Sequence, residues 1–160
     1  MNETSAAPLH IGQEVPDFSL PATGGKTFRL AKLRGQAVVL YFYPKDSTPG
    51  CTTEASQFRD LHDAFVAHKA TVWGISRDSL KSHENFKAKL GLPFELLSDA
   101  DETACRLFGV IKMKNLYGKQ VRGIERSTFL IDPAGRLVHE WRGVKADGHA
   151  AAVLDAVKSL

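Results

Sequence analysis

The chain has 160 residues, 43% hydrophobic and 24% charged, with a net charge of +3 and two cysteines. That length suits a single domain, 1–160, burying roughly two-thirds of its unfolded surface, and the charge is too small to argue for nucleic acid. The longest strongly apolar run, 37–43, falls far short of a membrane span. The first residues show no basic region followed by an apolar core, so a cytoplasmic protein with reduced thiols is expected.

In chain order, residues 1–14 are small and polar without periodicity and read as a loosely ordered tail. Phe18–Leu20 and Thr27–Leu30 flank Gly24-Gly25 and read as an N-terminal β-hairpin. Ala37–Tyr43 is rich in β-branched and aromatic residues and reads as a buried strand. Phe58, Leu61, Phe65 and Val66 recur at helical spacing, so a helix is expected from Thr52 to about His68. Thr71–Ser76 reads as the next strand. A helix over 80–90 follows, capped by Asp78-Ser79 and closed by Gly91. Phe94–Ser98 is a shorter strand, and Asp99 or Asp101 opens a helix ending near Gly109. The basic, glycine-dotted section from Val110 to Glu125 reads as loop with some strand. Ser127–Ile131 and Leu137–Trp141, joined by Asp132-Pro133-Ala134-Gly135, form an edge hairpin. Asp147–Leu160 is a closing helix. The alternation gives an α/β fold, a mixed central sheet flanked by helices.

The chemistry centres on the stretch from Pro44 to Glu54. Cys51 falls in or beside the first turn of a helix that follows the core strand. Unpaired backbone N–H groups and the positive end of the dipole there favour an anion, and the thiolate is the nucleophilic form of cysteine. The bland alternative is a small buried hydrophobe without chemistry. Pro44 and Pro49 stiffen the loop, and Gly50 removes a side chain that would block approach to the sulfur. Thr48 offers a hydroxyl to the site, or serves as a plain helix N-cap before Pro49. Cys105, among Ala104, Leu107 and Phe108, reads as the buried side of a short helix.

Other candidates are weaker. His62, His68 and His83 fall on expected helices without a carboxylate or cysteine at metal spacing and read as solvated or half-buried. A structural zinc site needs about four ligands with short local spacings, so no metal is expected. Trp73 and Trp141 read as core or edge packing. A thiol–disulfide oxidoreductase normally needs C-x-x-C, which Cys51-Thr52-Thr53-Glu54 lacks. A nucleic-acid binding module would draw on Lys112, Lys114, Lys119, Arg122 and Arg126 with Tyr117, a run that more often forms a solvated face.

Pro44-x-x-x-Thr48-Pro49-Gly50-Cys51 with Thr52-Thr53-Glu54 resembles the active-site signature of the peroxiredoxins, in the form of the peroxiredoxin Q or bacterioferritin comigratory protein group. The resemblance runs from Val15-Pro16-Asp17-Phe18 to the closing helix and includes Gly123–Asp132, similar to the family's arginine-bearing strand. It implies a thioredoxin-like fold and a thiol-dependent peroxidase, without cofactor, that reduces hydrogen peroxide and organic hydroperoxides through a Cys51 sulfenic acid. Arg126 would then ionise the sulfur, Thr48 bond the peroxide and Pro44 shield the site. The Gly50 and Cys51 amides would face the substrate, and Glu54 would organise loop and arginine. Many relatives carry a resolving cysteine where this chain has Ser56, others near Lys87. The expectation is therefore a one-cysteine cycle completed by an external thiol, glutathione with a glutaredoxin-like protein or thioredoxin, in a monomer or weak homodimer. A two-cysteine cycle with Cys105 resolving, or a peroxide-sensing protein, stands as the alternative.

Overall fold

The computed structural model describes residues 9–160. A seven-stranded mixed sheet runs in the order β2-β1-β5-β4-β3-β8-β9. Its strands are β1 (Ser19–Ala22), β2 (Lys26–Arg29), β3 (Ala37–Phe42), β4 (Ala70–Ser76), β5 (Leu96–Ser98), β8 (Ser127–Ile131) and β9 (Leu137–Arg142). The helices are α1 (Pro49–Asp60), α2 (His62–Ala67), α3 (Leu80–Leu90), α4 (Thr103–Phe108) and α5 (His149–Lys158). Among the described residues, no helix is long and apolar enough to cross a membrane.

β3 is the central strand. It pairs in parallel with β4 and antiparallel with β8, and all six of its residues are buried. A strand covered on both faces must be apolar at every position, which is why its sequence shows no alternation. The pleat still divides its side chains. Val38, Leu40 and Phe42 enter one core cluster with Phe28, Phe108 and Phe129. Ala37, Val39 and Tyr41, with Tyr43 just beyond the strand, enter another with Phe58, Phe65 and Phe86. β3 thus delivers its carboxyl end, and the loop after it, between two packed layers.

Most boundaries follow local chemistry. Ser79 accepts a hydrogen bond from the Ser82 amide at 3.2 Å to cap α3, and Gly91 closes that helix in the left-handed conformation. Asp99 accepts from the amides of Ala104 and Cys105, so it caps α4 from outside the helix. Asp132 holds the β8–β9 turn through the amides of Ala134 and Arg136.

Three expectations need correction. The helix expected over 52–68 starts at Pro49 and breaks at Leu61, whose φ of −99° and ψ of 3° end α1 before α2 begins. The basic section over 110–125 is an ordered antiparallel hairpin, β6 (Ile111–Leu116) with β7 (Lys119–Ile124). Its turn is Tyr117-Gly118, both with positive φ, a two-residue connection matching the strand twist. The tail reading divides: residues 1–8 lie outside the described residues, whereas 9–14 are docked. Leu9 is buried, the Gly12 amide donates to the Leu137 carbonyl, and the Leu137 amide donates to the Gln13 carbonyl.

Candidate active site

α1 begins with Thr48 at the N-cap and Pro49 as its first residue, which places Cys51 within the first turn. The Thr52 amide donates to the Thr48 carbonyl at 2.9 Å, which leaves the Gly50 and Cys51 amides ahead of the intrahelical ladder. The Thr48 hydroxyl does not cap the helix. It donates to the Lys45 carbonyl at 2.9 Å, which fixes the loop and keeps the oxygen's lone pairs free to accept. Pro44, half-buried, leads out of β3.

Arg126 reaches the sulfur from the other side. It lies just before β8, its backbone carbonyl accepting from the Val144 amide at 3.1 Å. One guanidinium nitrogen, Nη2, donates to Cys51 Sγ at 3.5 Å, and the other, Nη1, donates to Glu54 Oε1 at 2.7 Å. Both acceptors belong to α1, three residues apart and therefore on one helix face. The Arg126 side chain is 16% exposed and that of Glu54 is 0%. The structure thus brings Cys51, Glu54 and Arg126 together at one site, with Thr48 and Gly50 on the adjoining loop and first turn.

The role expected for Gly50 needs refining. A Cβ on Gly50 would lie 2.9 Å from Arg126 Nη2. The missing side chain makes room for the guanidinium, rather than for direct approach to the sulfur.

Burial and charge compete here. Burial pushes the Glu54 carboxyl up to about 7, against the opposing charge and hydrogen bond of Arg126. Burial also works against the Arg126 cation, but Glu54 and the Cys51 sulfur outweigh it and hold the guanidinium above its usual range. Glu54 Oε2 is buried without a hydrogen-bond partner among the described residues, which fits a carboxyl that is readily protonated. Behind the site, burial and the Arg126 charge lower His149 to about 4, so its ring is neutral. Its Nε2 lies 2.7 Å from the Thr128 hydroxyl. His149 was not recognised in the sequence, because neither its spacing nor its neighbours distinguish it from an ordinary helix-start residue.

Cys105 stands apart. It is 0% exposed and belongs to the core cluster on the opposite face of the sheet from Cys51. Burial, reinforced by a hydrogen bond and charge from Asp99, raises its thiol far above the usual range. The basic run also divides. Lys112, Lys114, Lys119 and Arg122 lie on the β6–β7 hairpin, while Arg126 turns inward. There Arg122 is paired with Glu102, and Lys114 donates to the Ile124 carbonyl. His83 is completely buried, not solvated or half-buried, and sits against Asp46. The sequence hid this because Asp46 lies far away along the chain. Trp73 and Trp141 pack partly buried against the two core clusters.

The Glu54 environment has a consequence for stability. Below about pH 4.5 the carboxyl is protonated in both folded and unfolded chains. From there to about pH 7 the unfolded chain releases the proton while the folded chain retains it, so stability falls as pH rises. At ~1.4 kcal/mol per pH unit, the native protein should lose roughly 3 kcal/mol relative to Glu54→Gln across this window. Denaturant unfolding of both proteins at several pH values checks it; parallel pH profiles would contradict it.

Comparison with known proteins gives this geometry its context. Residues 11–140 match the AhpC/TSA family. Peroxiredoxin Bcp of Xanthomonas campestris pv. campestris is 56% identical over 153 residues, 96% of each chain. A solved structure of Xanthomonas campestris peroxiredoxin Q superposes with a TM-score of 0.87 at 54% identity, covering 94% of this chain and 96% of that one. Another, of Xanthomonas campestris bacterioferritin comigratory protein, also gives 0.87, at 52% identity with 96% and 98% covered. That structure is described as a trapped intermediate/ligand complex bearing on alkyl peroxide reduction activity. The mixed sheet with its flanking helices is the thioredoxin-like fold of these proteins. The chain belongs to the AhpC/TSA family and is a peroxiredoxin of the Bcp, or peroxiredoxin Q, group.

Proposed function

We propose that the protein reduces hydrogen peroxide and organic hydroperoxides through Cys51, in a one-cysteine cycle completed by an external thiol. The observation that carries this reading is the shared guanidinium, with Arg126 donating to both Cys51 Sγ and Glu54 at the start of α1. A cation and unpaired helix-start amides lie beside the sulfur, the setting in which reactive cysteines are found. The alkyl peroxide reduction associated with the Xanthomonas campestris relative supports organic hydroperoxides as substrates.

The thiolate attacks one peroxide oxygen, the O–O bond breaks, and its electron pair leaves on the distal oxygen, which takes up a proton as water or alcohol. The developing charge falls where fixed donors cost no reorganisation. Thr48, at the N-cap and donating to Lys45, accepts from the peroxide, and the amides of Gly50 and Cys51 face the reacting oxygens. Pro44 screens the sulfur, and Glu54 holds Arg126 in register. Cys51 becomes a sulfenic acid. An external thiol then displaces hydroxide, released as water, to give a mixed disulfide. A second thiol restores Cys51 and carries away the disulfide.

The sheet argues against Cys105 as the resolving residue. A disulfide requires Cα atoms within about 4.4–6.8 Å, and the two cysteines belong to clusters separated by β3 and its neighbours. Ser56 and Lys87 offer no thiol. A glutathione and glutaredoxin-type system, or a thioredoxin, supplies the reducing equivalents in this reading, and the cytoplasm is the compartment where such thiols are abundant.

Cys51→Ser should abolish peroxide consumption with the fold intact, whereas Cys105→Ser should retain turnover within about twofold when an external thiol is supplied. Activity surviving in the first variant, or lost with every reductant in the second, would overturn the respective assignment. Gly50→Ala gives a finer test, because its Cβ meets the flexible end of Arg126 and no backbone. Stability should change little, while the peroxide step measured by stopped flow slows about tenfold, or ~1.4 kcal/mol. An unchanged rate would show that the guanidinium position is unimportant.

A further inference from the structure

The loop between β3 and α1 contains a charged group that the peroxide chemistry does not use. Asp46 is 6% exposed, and its carboxylate is surrounded by donors. The Tyr43 hydroxyl donates to Oδ1 at 2.6 Å. The Ser82 hydroxyl donates to Oδ2 at 2.7 Å, and His83 Nδ1 lies 2.7 Å from the same oxygen. Ser82 and His83 belong to α3, so both tie the loop to that helix. The Asp46 backbone amide donates to Asp78 Oδ2 at 2.8 Å. Asp78 is in turn held by the Ser76 hydroxyl at the same distance, and its carbonyl accepts from Ser98 at 2.6 Å.

His83 is completely buried, and its second ring nitrogen, Nε2, lies 2.9 Å from the Leu97 carbonyl. A carbonyl can only accept. Burial opposes ionisation of Asp46, but the hydrogen bonds from His83 and Tyr43 prevail and hold its carboxyl below the usual range. Both ring nitrogens therefore face acceptors. The result is a buried hydrogen-bonded pair linking the loop, α3 and β5. Asp46, Asp78 and His83 bring ligand atoms within 4.8 Å of one another. Protein donors already engage both carboxylates, which commits them to holding the loop rather than a metal ion.

A second observation points the same way. Ser47, directly after Asp46 and before Thr48, has a φ of +64°. A non-glycine residue stays in that conformation only where its surroundings hold it. The neighbouring Thr48 presents its hydroxyl with the lone pairs free and opens α1 ahead of Cys51.

We propose that His83 is a positioning residue for the peroxide step: through Asp46 it fixes the Pro44–Thr48 segment against α3 and β5, and thereby sets the Thr48 hydroxyl and the helix-start amides around the Cys51 sulfur. The inference rests on Cys51 being the peroxide-reactive residue. It adds that peroxide reactivity depends on a hydrogen-bonded pair whose histidine, His83, lies on a different helix from the sulfur.

The test compares two reactions of one thiol. Alkylation by iodoacetamide uses the Cys51 sulfur but not an aligned O–O bond. In His83→Gln the peroxide rate constant should fall at least tenfold while the alkylation rate stays within threefold of the native protein. General loosening of the fold would move both rates together. Ser82→Ala removes one hydrogen bond to Asp46 from a less buried position. It should shift the same ratio three- to fivefold and serves as the test where His83→Gln does not fold. An unchanged ratio of the two rates in a folded His83→Gln, or in Ser82→Ala where the former does not fold, overturns the proposal. Failure of Cys51 to react with peroxide in the native protein would instead overturn the proposed function.

Discussion

One guanidinium sets the terms for the rest of the site. Arg126 binds a sulfur and a carboxylate on the same face of α1, and nearly every local feature serves that contact. Gly50 is empty where the guanidinium lies. Pro49 starts the helix early enough for Cys51 to stand in its first turn, and Glu54 follows one turn later. Because one guanidinium donates to both acceptors, a change at either partner moves the group on which the other depends. The arrangement is consequently cooperative: sulfur, carboxylate and guanidinium are best understood as one unit rather than three independent residues.

The sheet explains why that unit can be rigid. β3 is buried along its whole length and feeds its carboxyl end into the site loop, while β8, its antiparallel neighbour, starts one residue after Arg126. The two site-bearing segments are therefore fixed by adjacent strands of one ladder. Tyr41, Phe58 and Phe65 continue the packing beneath α1 and α2, with the Tyr41 and Phe58 rings stacked at 4.6 Å between centroids. The same sheet separates Cys51 from Cys105, so the architecture that preorganises one thiol isolates the other.

Much of this was legible in the sequence, for identifiable reasons. β3, β4 and α3 announce themselves through apolar runs, periodicity and caps at Ser79 and Gly91, all local signals. Cys51 was legible because its helix-start position is a local property, whereas Glu54 entered only through the family resemblance. Arg126 was one of 21 Lys and Arg residues, and only the family resemblance selected it. What stayed hidden depends on contacts distant in sequence. Asp46 and His83 look like an ordinary loop acid and helix histidine until the fold joins them. Leu9–Glu14 looked like part of a tail because docking onto the start of β9 leaves no periodic trace. The β6–β7 hairpin was obscured by its charged, glycine-containing composition, although Tyr117-Gly118 marks its turn.

The proposed cycle requires that peroxide oxidise Cys51 alone and that an outside thiol then restore it. Intact-mass analysis after one equivalent of peroxide, with and without glutathione, addresses it most directly. A gain of one oxygen on Cys51, converted to a glutathione adduct on the same residue when the thiol is present, is the expected result. Rapid loss of two hydrogens, with Cys51 and Cys105 joined within one chain, would contradict it.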